Sequence, residues 1–68
     1  MNIYRIVKLN PDGQEHICNI ESNNGKNALR KFRKTFMSTG FTEIHKRKTT
    51  GTWELSTSYG CIYIAVEM

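Results

Sequence analysis

Ala28, Leu29, Phe32 and Phe36 recur at intervals of one, three and four residues, and this stripe limits the folds open to the chain more than any other feature. At 100° per residue the four side chains fall within about 100° of arc on an α-helix, whereas a strand would split them between its two faces. Ser22-Asn23-Asn24-Gly25 precedes the stripe with side chains suited to capping a helix, and Gly40 follows Thr39 where a left-handed C-terminal stop belongs. The spacing predicts one helix over about residues 24–39.

On both sides of that helix the apolar pattern shortens and alternates. Asn10-Pro11-Asp12-Gly13 suits a type I turn followed by a left-handed residue, so Ile3 to Leu9 and His16 to Glu21 are expected to pair as a β-hairpin. After Phe41, residues 43–49, 52–57 and 61–67 read as three strands, divided by Thr50-Gly51 and Ser58-Tyr59-Gly60. The fold class that follows is α+β, in the order ββαβββ, with a single helix packed on one face of an antiparallel sheet. Trp53 and Leu55 alternate with Glu54 and Ser56, and Ile62, Ile64 and Val66 with Cys61, Tyr63 and Ala65, as a sheet covered on one face requires. The segment His45-Lys46-Arg47-Lys48 after Ile44 has the charge typical of a sheet edge.

Sixty-eight residues allow one domain spanning 1–68. A chain of this size hides only about 60% of the surface its unfolded form exposes. It has little material to wall a pocket of roughly 300–1,000 Å³, which argues against an enzyme. No apolar run approaches the ~18 residues of a membrane span. The start, Met1-Asn2-Ile3-Tyr4-Arg5, lacks the layout of a signal peptide. A cytoplasmic protein with no membrane partner is the expectation. Beginning at methionine and ending within its last strand, the chain also suits a complete small reading frame. Cys18 and Cys61 each sit in a predicted strand without a close second cysteine; two reduced thiols are expected, and a disulfide between the strands is the alternative.

The charge is unevenly distributed. Residues 26–48 hold Lys26, Arg30, Lys31, Arg33, Lys34, Lys46, Arg47 and Lys48 against Glu43 alone, a balance of +7; the rest of the chain carries −3, for a net of +4. Lys26, Arg30 and Lys34 are spaced by four on the helix, opposite the apolar stripe, with Lys31 and Arg33 to either side. Like charges at that spacing repel by a few tenths of a kcal/mol per pair, and this helix has no acidic residue to offset them. A solvated face kept soluble by its charge is the bland explanation. The functional explanation is a surface for phosphates, favoured because arginine can fork onto a phosphate while lysine acts as a point charge.

Other chemistry is sparse. Tyr4 and Tyr63 are candidates to project from the sheet face away from the helix, where bases could stack, or else to pack at the domain's margin. Cys61 with His16 or His45 lacks the order of a catalytic arrangement. His16, Cys18, His45 and Cys61 have zinc-ligand chemistry without the paired spacing of a finger, although His16 and Cys18 would share a strand face. Asn23-Asn24-Gly25-Lys26 has one glycine and no phosphate-loop pattern. No catalytic residue, metal or cofactor is expected.

The segment from Phe36 through Leu55, a helix end, Thr39-Gly40-Phe41 and a basic hairpin, resembles the small basic RNA-binding toxins of toxin–antitoxin pairs over less than a third of the chain. Those toxins carry a catalytic histidine at the hairpin turn, where this chain has Thr50-Gly51-Thr52. The resemblance therefore implies no activity, and membership is not claimed.

Two functions remain. One is a non-catalytic module binding the backbone of DNA or RNA through the eight basic residues. The other is a small inhibitor or adaptor, of the kind a phage or mobile element encodes, docking on an acidic patch of a host protein. Either would act as a monomer or as a homodimer joined at a sheet edge, through the strand with Ile44 or the terminal strand.

Overall fold

A computed structural model describes residues 2–36 and 42–68. Strand β1 (Asn2–Asn10) and strand β2 (Gly13–Ser22) form the expected hairpin, longer than its apolar residues suggest because the ladder continues to the Asn10–Gly13 pair. Only Pro11 and Asp12 are left in the loop. Gly13 closes it at φ +146°, a backbone region that side chains rarely enter.

Helix α1 (Gly25–Phe36) follows, then β3 (Thr42–Lys46), β4 (Trp53–Thr57) and β5 (Ile62–Glu67), in the expected order ββαβββ. Asn24 caps the helix: its side-chain oxygen accepts the Asn27 backbone N–H at 2.8 Å and its carbonyl accepts that of Ala28 at 3.0 Å. The predicted helix end at 37–39 and the Gly40 stop lie outside the described residues.

All four strand pairings are antiparallel, in the order β2-β1-β5-β4-β3. The expectation that β3 lies at an edge holds. The terminal strand, however, is central, so it offers no edge through which two copies could join. Its unbroken apolar run from Ile62 to Val66 suits the position, because a strand paired on both sides with one face under the helix favours apolar residues over charged ones.

The helix lies on the sheet face that carries Tyr4, Ile6, Leu55 and Ala65. Leu29 and Ala28 are fully buried against it and Phe32 nearly so, its ring 5.0 Å from that of Tyr63. Gly25 is needed at the helix start, since a Cβ there would come to 3.0 Å from the Trp53 ring. Phe36, the last residue of the stripe, is 58% exposed. The proposed position of the tyrosines on the far face is overturned. Tyr4 stands two residues from Ile6 and Tyr63 two from Ala65, so both share the helix side, and Tyr4 is buried there.

A bulge corrects a second expectation. Ile6 faces Cys18 and Val7 faces His16, leaving Ile17 as the extra residue in β2. Ile6 and Val7 point to opposite faces, and so do their partners, so His16 and Cys18 do not share a face as a plain strand would have them. His16 instead bonds Asn19 at 2.8 Å on the side away from the helix.

Candidate functional site

The capped helix sets the direction of five cationic side chains. With the apolar stripe held against the sheet, Arg30 and Lys34 point directly outward and are exposed. Lys26 and Arg33 lean toward β4 and β3: the Lys26 ammonium sits 5.6 Å from the centre of the Trp53 ring, and the Arg33 guanidinium donates to Thr42 Oγ1 at 3.4 Å. Lys31 leans the other way and donates to the Glu21 backbone carbonyl on edge strand β2 at 2.7 Å.

Strand β3 adds to the same side. Lys46 pairs with Trp53 across the ladder and therefore shares the helix face, while Lys48 is exposed in the turn that follows. The Arg33–Thr42 contact joins helix to edge strand, so these cations form one surface. Arg47 departs from it. It lies beside Glu54 on the opposite face, with Nε 3.6 Å from the carboxylate that also meets His45 at 2.6 Å. Among the described residues these are the ion pairs, and neither involves Lys26, Arg30, Lys31, Arg33, Lys34, Lys46 or Lys48.

The acidic residues sit largely elsewhere. Register places Glu21 opposite Ile3 and Glu43 opposite Ser56, both away from the helix, as is Glu54. Glu15, opposite Lys8, and Glu67, opposite Tyr4, are the exceptions, and Glu67 lines a shallow cleft of about 230 Å³ with Trp53, Gly25 and Lys46 at the start of the helix. Predominantly positive charge on one side and mixed charge on the other give the molecule an electrostatic polarity that its net charge understates.

Both cysteines are free thiols. Burial pushes the Cys18 thiol above its ordinary range, so it stays protonated and weakly nucleophilic. Burial likewise raises the Tyr63 hydroxyl, helped by the nearby Cys61 and opposed by Lys8. Among the described residues no three His, Cys, Asp or Glu side chains come together as a metal site would require. No described helix is long and apolar enough to cross a membrane.

Sequence reasoning missed two features. Alternation alone places Trp53 in a strand, yet it anchors Lys26 and the helix start; the lone glycine at position 25 is its trace. The face away from the helix collects most of the aliphatic residues of β1 and β5, which period-two alternation implies once β5 is known to lie beside β1. No known protein family, curated protein or solved structure matches the chain.

Proposed function

We propose that the chain is a non-catalytic module that binds nucleic acid through the phosphate backbone, using the outer face of α1 with Lys46 and Lys48. The observation that carries this reading is the run of six cationic side chains on the helix side, with Lys48 exposed in the adjoining turn, none of the seven with a carboxylate within ion-pair distance among the described residues. Arg47, tied to Glu54 on the other side, contributes little.

The dimensions suit the task. From Lys26 to Lys34 the helix rises ~12 Å, at about 1.5 Å per residue. Phosphates of one DNA strand advance ~3.4 Å along the duplex axis, so the row spans three or four of them. Tyr4 and Tyr63 are turned inward and offer no platform for bases on this surface, so binding is expected to be indifferent to sequence.

The test is binding to random-sequence DNA and RNA across a salt series. Neutralising three to five phosphates gives a slope of log affinity on log salt of roughly −3 to −4.5. Failure to bind either nucleic acid at low salt overturns the reading. A single protein partner captured from nuclease-treated extract, in the absence of nucleic-acid binding, would point instead to docking on an acidic protein surface.

A further inference from the structure

One helix covers one side of a five-stranded sheet, and no described element covers the other. On that open side lie Ile3, Val7 and Leu9 of β1 and Ile62, Ile64 and Val66 of β5, which register sets side by side in the two adjacent central strands. Val7 and Ile64 face each other across the ladder at the middle of the stripe and are already buried by their neighbours. Leu9, Ile62 and Val66 are half-buried, and Ile3 is 46% exposed. An aliphatic stripe two strands wide, crossed by Arg5 opposite Val66 and rimmed by polar residues, is the usual mark of an interface.

We infer that this open sheet face is where a second copy of the chain docks, forming a face-to-face dimer about a two-fold axis near the Val7–Ile64 pair. Size favours it. Five strands at ~4.8 Å give a face about 24 Å wide, and strands of six to nine residues make it about 20–30 Å long. That outline of roughly 500–700 Å², enlarged by side-chain relief, is close to the ~800 Å² per partner of a standard interface.

Charge favours a second copy over an oppositely charged partner. Beside Glu54, which stands opposite Ile64 and is engaged by His45 and Arg47, the face holds Arg5, Glu21 and Glu43, none in an ion pair among the described residues, so it offers both signs and can complement itself. Arg5 stands on β1 between Asn19 and Val66, with the two glutamates out on edge strands β2 and β3. The helix side, where cations far outnumber Glu15 and Glu67, repels its own copy. Sheets packed in this way sit ~10 Å apart, with strands of the two copies crossing at about 30°. Both cationic helices then face outward and remain free.

Sedimentation equilibrium of nuclease-treated protein in high salt, over a dilution series, tests the inference separately from nucleic-acid binding. The expected result is a reversible species at twice the 7.9 kDa chain mass. Val66→Lys, and separately Ile3→Lys at the more exposed position, should abolish it, while Arg30→Glu on the helix leaves it unchanged. A wild-type chain that stays monomeric at every concentration overturns the inference. So does a dimer that persists in both lysine variants, which would place the contact at a sheet edge. Should Val66→Lys fail to fold by circular dichroism, Ile3→Lys decides alone.

Discussion

Leu29 has no solvent exposure and projects from the middle of the helix into the sheet, so the two layers meet at this side chain. Truncating a buried leucine to alanine costs about 2–5 kcal/mol. A domain of this size holds roughly 3–10 kcal/mol in all. Leu29→Ala is therefore expected to remove a large share of the stability, read as a fall in the urea midpoint at unchanged slope. Asn24→Ala, which loses only the cap, should cost about 1 kcal/mol. Titration is a third residue-scale effect. Cys18 and Tyr63 ordinarily lose their protons near 9.0 and 10.0, and burial raises both in the folded chain. The unfolded chain then releases these protons first, so their contribution is fully present below the ordinary values and is lost as pH rises through the folded ones. Thermal melting should stay level from neutrality to about pH 8.5 and decline above pH 9. Cys18→Ala should shift the onset of that decline upward.

The helix, as an element, carries a conflict between stability and the proposed function. Arg30 stands four residues from both Lys26 and Lys34, and each pair repels by a few tenths of a kcal/mol. Arg30→Glu turns both repulsions into attractions. The expected outcome is a melting temperature raised slightly or unchanged, together with weaker nucleic-acid binding and a salt slope lowered by more than one. A residue placed only for solubility would show no such opposition. Edge strand β2 has its own safeguard: Lys31 occupies the Glu21 carbonyl, an acceptor that an added strand would use. Lys31→Ala leaves that edge more open, and greater aggregation on heating is the measurable consequence.

At the scale of the whole molecule, the two faces divide the work. The helix side presents mainly positive charge, and the open side presents aliphatic residues with charge of both signs. In a face-to-face dimer the two cationic surfaces point in opposite directions, so one duplex touches only one of them. The salt slope is therefore expected to match between the wild-type dimer and the Ile3→Lys monomer. Light scattering should show the dimer bridging two duplexes and the monomer bridging none. Equal bridging by both forms would separate dimerisation from that behaviour.

The helix, its cap, the first hairpin and the class of fold were legible in the residues themselves. Each depends on contacts within a few positions: the 3.6-residue spacing of Ala28, Leu29 and Phe32, the Asn24 cap, the Pro-Asp-Gly turn. The excess of positive charge on the helix was legible for the same reason, since helical geometry alone sets Arg30 and Lys34 opposite the apolar stripe. What tertiary structure decided was everything that depends on which strand lies beside which. Placing β5 between β1 and β4 made the terminal strand central and gathered the aliphatic stripe on one face. The bulge at Ile17 separated His16 from Cys18, and the choice of face turned Tyr4 and Tyr63 inward and Arg47 toward Glu54. Strand order, and the register of strands that no tight turn joins, are fixed by packing between segments far apart in the chain, which local patterns of residues do not encode.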